Sequence, residues 1–297
     1  MVIVTGIPRS GTSIVGKVLG SLCDVEYAFE PPLVPYLDAQ VRWGRMDPGD
    51  GVNILKTYLY FEYFVEYLHG RRYNFRPSDD SFVLSMKPFN EIVEKWKTIG
   101  STQDAIDEAE ERSLICKSPG VYTLLNHIYE NSPKIMIIHI WRDLERIIAS
   151  LMSKRWFHDE NLGPDSTGLW PFLKTEGARM VPYPVAEDAI EAWQSMNAET
   201  RTVHVCNQLA DDRRAFRQRY SGRETYYELD FGAFVQSPGE ATAQLASFLG
   251  LTPGPKTEDI VNEVAPTDPP CDPRRILDRC DPVEAERFYR LHNTTGN

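Results

Sequence analysis

The sequence predicts an α/β fold in which a parallel sheet of about five strands is flanked by helices. Two observations support this prediction. Short apolar runs rich in β-branched residues recur along the chain, and segments with helical periodicity separate them. Right-handed crossovers through those helices would make the strands parallel. The predicted strands are Val2–Thr5, Val25–Ala28, Leu114–Cys116, Ile135–Trp141 and Thr225–Leu229.

The predicted helices follow from apolar spacing and from turn signals. They are Thr12–Leu22, Val52–His69, Asp143–Arg155, Glu187–Leu209 and Pro238–Leu249. The last one carries proline in its first turn and stops before Gly250, which are common start and stop signals for a helix.

Two stretches interrupt the alternation of strands and helices, residues 31–112 and residues 157–185. Long insertions on the carboxyl side of a parallel sheet usually build a substrate pocket. We therefore expect one domain over residues 1–297, with these two stretches as mainly helical lid or acceptor-binding insertions.

The composition is that of a folded protein, with 42% hydrophobic and 25% charged residues. The formal net charge of −11 argues against nucleic-acid binding, which needs a basic face.

No apolar run approaches the ~18 residues of a membrane span. The first residues are typical of a buried strand and lack the basic region of a signal peptide, so we expect a cytoplasmic protein. The spacing of the five cysteines matches neither a zinc site nor a disulfide framework. A disulfide bond between Cys271 and Cys280 is possible, but nothing in the sequence requires it.

The strongest local motif joins the first strand to the first helix. It reads Gly6-Ile7-Pro8-Arg9-Ser10-Gly11-Thr12-Ser13. Backbone N–H groups of such a loop, together with the helix N-terminus, bind an anion. The spacing is that of a nucleotide phosphate loop (P-loop), but Thr12 stands where an NTPase carries lysine. This change disfavours ATP or GTP hydrolysis, and Arg9 supplies positive charge in the loop instead.

A second candidate anion site follows the strand Ile135–Trp141. Arg142 comes directly after that strand, and Ser150 lies eight residues later on the next helix, about 12 Å along its axis. We expect Arg142 and Ser150 to meet on a ligand that lies along this helix, with Lys154 assisting. Two anion sites at the ends of neighbouring strands predict a ligand with phosphates at both ends.

These motifs resemble the sulfotransferases that use 3′-phosphoadenosine 5′-phosphosulfate (PAPS), above all the tyrosylprotein, carbohydrate and bacterial members. In that family a P-R-S-G-T-[ST] loop holds the 5′-phosphosulfate, and an Arg and a Ser eight residues apart hold the 3′-phosphate. The matching positions are Arg9 to Ser13, Arg142 and Ser150. Tyr226–Asp230 and Phe248–Leu251 also resemble late family segments.

The resemblance implies transfer of a sulfuryl group to the hydroxyl of a small molecule or carbohydrate, by in-line attack. The products would be a sulfate ester and adenosine 3′,5′-bisphosphate. No metal would be needed.

Such a transfer needs a base near the acceptor hydroxyl and cations around the sulfuryl group. Cytosolic family members carry K-T-H after the third strand, but here Pro119 stands at the histidine position. Glu30, which follows the second strand, matches the catalytic glutamate of tyrosylprotein sulfotransferases. The resemblance therefore implies Glu30 as the base, with Lys117 and Arg9 as the cations. His139 lies within an apolar strand, and we interpret it as a core histidine.

Two other functions remain open from the sequence. The protein could be a P-loop kinase of a small molecule, against which Thr12 argues. It could also be a nucleotide-binding protein without turnover, against which Glu30 and Lys117 argue only weakly.

Overall fold

The computed structural model describes residues 1–132, 134–163, 172–173, 179–266 and 268–294. Five strands form a parallel sheet in the order β2-β3-β1-β4-β7, and two short strands pair separately. The strands are β1 (Val2–Gly6), β2 (Val25–Phe29), β3 (Ser113–Lys117), β4 (Met136–Trp141), β5 (Phe172–Leu173), β6 (Val181–Pro182) and β7 (Tyr226–Asp230). The predicted fold class and all five predicted sheet strands are confirmed.

Helices cover both faces of this sheet. The α-helices are α1 (Thr12–Gly20), α2 (Leu33–Arg42), α3 (Pro48–Thr57), α4 (Glu66–Leu68), α5 (Phe89–Thr98), α6 (Thr102–Glu110), α7 (Tyr122–Asn131), α8 (Leu144–Ser153), α9 (Ile190–Ser195), α10 (Ala198–Tyr220), α11 (Phe231–Gln236), α12 (Pro238–Leu249), α13 (Thr257–Asn262), α14 (Pro273–Leu277) and α15 (Pro282–Thr294). A π-helix spans Tyr58–Val65, and 3₁₀ turns span Val83–Ser85, Asp159–Asn161 and Glu187–Ala189.

The core lies on the two faces of the sheet. Successive residues of a strand point to opposite faces, so Ile3 of β1 packs in one apolar cluster while Val2 and Val4 pack in the other. The parallel register aligns the strand ends, with Gly6 opposite Ile140 and Phe29 opposite Lys117. The loops that follow β1, β2, β3 and β4 therefore meet at one edge.

Two predicted helices differ from the structure. The single helix predicted over Glu187–Leu209 is wrong, because α9 ends at Ser195 and a new helix begins at Ala198. Asn197 causes the break: its side-chain oxygen accepts a hydrogen bond from the backbone N–H of Thr200, at 2.7 Å, which caps α10. The stretch predicted as Val52–His69 is α3, the π-helix and α4 in succession.

The insertion between β2 and β3 contains α2 to α6, as the helical interpretation of residues 31–112 predicts. Part of the second insertion, residues 164–171 and 174–178, lies outside the described residues. The division of the chain into a single domain stays a prediction.

Three other observations concern the described residues. No helix among them is long and apolar enough to cross a membrane. They hold no group of three or more His, Cys, Asp or Glu side chains suited to a metal ion. All five cysteines are free thiols, including Cys271 and Cys280.

Candidate active site

A cavity of about 730 Å³ opens at the carboxyl edge of the sheet. Its wall includes Arg9 from the loop after β1, Glu30 after β2, Pro119 after β3 and Arg142 after β4. Ligands of open parallel sheets bind at this edge, because the loops that follow the strands converge there. The topology thus brings together residues that are up to 133 positions apart in the chain.

The loop after β1 is shaped by two residues with left-handed backbone, Arg9 at φ 75° and Gly11 at φ 99°. A Cβ atom at Gly11 would lie 2.1 Å from the ring of Phe231, so only glycine fits that position. Gly11 stands at the N-cap of α1, and no side-chain hydrogen bond caps this helix. The first backbone N–H groups of α1 can therefore donate hydrogen bonds to a bound anion, as the phosphate-loop motif predicts. Ser10 and Thr12 of this motif are buried, and Thr12 also borders the cavity.

The two candidate anion sites are in direct contact. Arg9 Nε donates a hydrogen bond to Ser150 Oγ at 3.0 Å, and Arg142 Nη1 donates one to the carbonyl oxygen of Arg9 at 3.2 Å. The guanidinium groups also lie over aromatic rings, Arg9 over Trp156 and Arg142 over Phe231. Arg142 and Ser150 therefore converge on the phosphate loop through Arg9.

Electrostatics at Arg142 also favour an anion. Burial lowers the pKa of Arg142, and the neighbouring cations Arg146 and Arg9 lower it further. Like charges held close together raise the energy of the free site, and a bound anion would relieve that repulsion. The predicted helper Lys154 is exposed at the C-cap of α8, one turn beyond Ser150, and is not among the described residues that line the cavity.

A second group of contacts in the site is centred on Lys117. Its ammonium group lies 2.7 Å from Glu30 Oε1 and donates a hydrogen bond to Ser13 Oγ, also at 2.7 Å. It also lies 3.8 Å from the centre of the Phe29 ring. Lys117 is only 1% exposed, and this burial lowers its pKa although the Glu30 carboxylate acts in the opposite direction. The cation thus links the carboxylate to the phosphate loop.

Glu30 reaches the cavity from a strained backbone. Its φ is +45°, in the left-handed region that costs a non-glycine residue about 1–2 kcal/mol. Its N–H donates to the carbonyl oxygen of Lys117 at 3.0 Å, which continues the pairing of β2 with β3 past the strand end. The Glu30 side chain is 47% exposed, so its carboxylate is accessible to a ligand. Such local strain is typical of functional positions.

His139 lies outside this site. It is fully buried, and its ring nitrogens contact the hydroxyl oxygens of Tyr122, at 3.0 Å, and Tyr226, at 2.5 Å. Burial holds the pKa of His139 well below its usual range. It is the core histidine that the sequence indicates. The carbonyl oxygen of Pro119 accepts a hydrogen bond from Tyr183, at 2.6 Å, and both residues line the cavity.

Sequence reasoning missed several residues of the cavity wall. Asp80 and Tyr183 lie in the two insertions that were expected to build the substrate pocket, although neither was proposed as a site residue. Trp156 lies outside both insertions, and no motif indicates it. Lys17 could have been found, because it follows Ser13 by four residues and so lies on the same face of α1.

Comparisons with known proteins concern the family and the fold of the chain. A family model described as "Sulfotransferase family" matches residues 2–170. The solved sulfotransferase domain from the curacin biosynthetic pathway is similar in fold, with a TM-score of 0.50 and 14% sequence identity over 100% of this chain and 97% of that one.

Two further solved structures resemble the chain less closely. The sulfotransferase domain of the Synechococcus PCC 7002 olefin synthase has a TM-score of 0.49 and 15% identity, over 100% of this chain and 94% of that one. The sulfotransferase from Alicyclobacillus acidocaldarius has a TM-score of 0.42 and 14% identity, over 98% and 95%. No curated protein sequence matches the chain. Because the family model covers more than half of its length, the chain belongs to the sulfotransferase family.

Proposed function

We propose that the protein transfers a sulfuryl group from PAPS to the hydroxyl group of a small molecule or carbohydrate. The observation that carries this proposal is that two groups of contacting residues meet at one cavity, whose wall includes Arg9, Arg142 and Glu30. A cationic phosphate-binding region, built from Arg9, Arg142 and Ser150, adjoins the Lys117–Glu30 ion pair. The cationic region suits a nucleotide with two phosphate groups. In the ion pair, the Glu30 carboxylate suits removal of the acceptor proton, and the Lys117 ammonium suits stabilisation of the negative charge that develops during transfer.

The phosphate loop would bind the 5′-phosphosulfate of the donor. Backbone N–H groups of residues 10–13 at the start of α1 would donate hydrogen bonds to its oxygens, with Pro8 shaping the loop. Arg142 and Ser150 would bind the 3′-phosphate, with Lys154 as an outer cation. Arg9, which contacts Ser150, would bridge the two phosphate groups.

The transfer itself would use the other half of the cavity. The acceptor oxygen attacks sulfur in line, the new O–S bond forms, and the S–O bond to the 5′-phosphate breaks. The acceptor proton passes to Glu30, whose second carboxylate oxygen is available because Lys117 contacts Oε1. Lys117 and Arg9 stabilise the charge that develops on the sulfuryl group and on the leaving phosphate.

Ligand binding and turnover test this proposal in two steps. Adenosine 3′,5′-bisphosphate should bind much more tightly than ATP, whereas a kinase would show the reverse order. Labelled PAPS with a panel of hydroxyl acceptors should then yield sulfate esters. Tight bisphosphate binding without transfer to any sugar, phenol or alcohol would identify a nucleotide-binding protein and contradict the proposed reaction.

A further inference from the structure

Lys17 is a cation of the cavity wall that the proposed reaction leaves without a role. It lies on α1, one turn after Ser13, and lines the same cavity as Arg9 and Arg142. Residues four apart share one face of a helix, so Lys17 lies on the face of α1 that also carries Ser13 of the first turn. That turn is the anion-binding end of the helix.

Lys17 has a carboxylate partner that is easily replaced. Its Nζ lies 3.3 Å from Oε2 of Glu263. The Lys17 side chain is 21% exposed and that of Glu263 is 66% exposed. An ion pair with one partner mostly in solvent contributes little to stability. A nucleotide phosphate, which carries more charge than a carboxylate, can therefore compete for the same ammonium group.

The segment that carries Glu263 is attached by other contacts to the residues that follow α1. The backbone N–H of Cys23 donates to the carbonyl oxygen of Thr252 at 3.0 Å, and Ser21 Oγ donates to Thr257 Oγ1 at 2.9 Å. Neither of these bonds involves the side chain of Lys17 or of Glu263. Loss of the Lys17–Glu263 pair would therefore leave the segment in place.

We infer that Lys17 is a further donor-binding residue, and that Glu263 competes with the nucleotide for its ammonium group. This inference rests on the proposed function, since it assigns Lys17 to the same bisphosphate nucleotide. Lys17 adds a third cation on the α1 side of the cavity, while Arg9 and Arg142 act from the β1 and β4 sides.

Two variants should change nucleotide affinity in opposite directions. Calorimetric titration of the full chain with adenosine 3′,5′-bisphosphate gives the Kd. Lys17→Met should weaken binding about tenfold, because a charge-assisted contact is lost. Glu263→Gln should tighten binding about two- to fivefold, because the competitor for the ammonium is removed. Added salt should diminish both effects.

The chain offers a matched control in the same segment. Lys256 and Asp259 form an ion pair of the same length, 3.3 Å, and neither is among the described residues of the cavity wall. Lys256→Met and Asp259→Asn should leave the Kd unchanged. Their thermal unfolding should match that of the Lys17 and Glu263 variants.

The outcomes separate this inference from the proposed function. If the unaltered protein does not prefer the bisphosphate over ATP, the proposed function fails. If that preference holds and Lys17→Met binds normally, the role of Lys17 is overturned. If Lys17→Met and Glu263→Gln both weaken binding, the pair only supports the structure, and the inference is likewise overturned.

Discussion

Lys117 and Glu30 form an ion pair, with 2.7 Å between Nζ and Oε1, across the ends of two neighbouring strands. The register of β2 with β3 places Phe29 opposite Lys117, so the residue after Phe29 lies beside the lysine. The proposed base and the proposed cation are therefore one unit. A change at either residue therefore alters the environment of the other, so the test of Glu30 measures nucleotide binding as well as turnover.

Glu30→Gln should lower kcat by about 10²–10⁴, because glutamine keeps the shape of the side chain but does not take up the acceptor proton. Affinity for adenosine 3′,5′-bisphosphate should change little. Steady-state kinetics and titration of the same protein sample measure both quantities. Glu187→Gln is the control, since Glu187 is an exposed glutamate that pairs with Arg45 at 3.3 Å. Near-normal turnover of Glu30→Gln would exclude this residue as the base.

The pH dependence of kcat should show an alkaline limb that belongs to Lys117. Burial lowers the pKa of Lys117, so its proton is lost at a lower pH than that of an ordinary lysine. The cation is present below this pKa and is lost as the pH rises through it, and activity should fall with it. Lys117→Arg keeps its charge to much higher pH, so the limb should move upwards. An identical limb in both proteins would assign it to another group.

Arg142→Ala should remove most of the discrimination between adenosine 3′,5′-bisphosphate and AMP. The unaltered protein should bind the bisphosphate more tightly, because in the proposed binding mode only its 3′-phosphate contacts Arg142 and Ser150, at about 1.5–3 kcal/mol per charge-assisted contact. The variant should bind AMP almost normally, which titration with both nucleotides measures. Arg45→Ala removes an exposed arginine as the control. Equal affinity of the unaltered protein for the two ligands would contradict the assignment of the donor.

Gly11→Ala should destabilise the protein and abolish nucleotide binding. The new Cβ would meet the Phe231 ring at 2.1 Å, and the residue has φ +99°. Backbone strain of about 1–2 kcal/mol and overpacking of about 1–3 kcal/mol should add. Gly44→Ala separates these effects, because Gly44 has φ +63° and no heavy atom within 4 Å of the added Cβ.

Urea denaturation of the two glycine variants measures the difference. Gly44→Ala should lose only the strain component and should keep its nucleotide affinity. Equal losses of stability in both variants would mean that the contact with Phe231 does not restrict the phosphate loop.

Local patterns in the sequence predicted most of the fold. The strands were recognisable because strands buried on both faces appear as short apolar runs. The sequence also predicted that four charged residues at the strand ends lie near one another, because the carboxyl ends of parallel strands share one edge of the sheet. These residues are Arg9, Glu30, Lys117 and Arg142. The helix predicted across Asn197 was wrong, because apolar spacing continued through a residue that caps a new helix.

The sequence by itself determined the sheet, the phosphate loop after β1 and the charged residues at the strand ends. Each depends on residues that are neighbours in the chain or on the general topology of parallel sheets. Only the tertiary structure decided which side chains touch. The contacts of Lys117 with Glu30, of Arg9 with Ser150 and of Lys17 with Glu263 join residues 87, 141 and 246 positions apart. Such pairs depend on strand register and helix packing to within about an ångström, and no periodicity in the sequence encodes these distances.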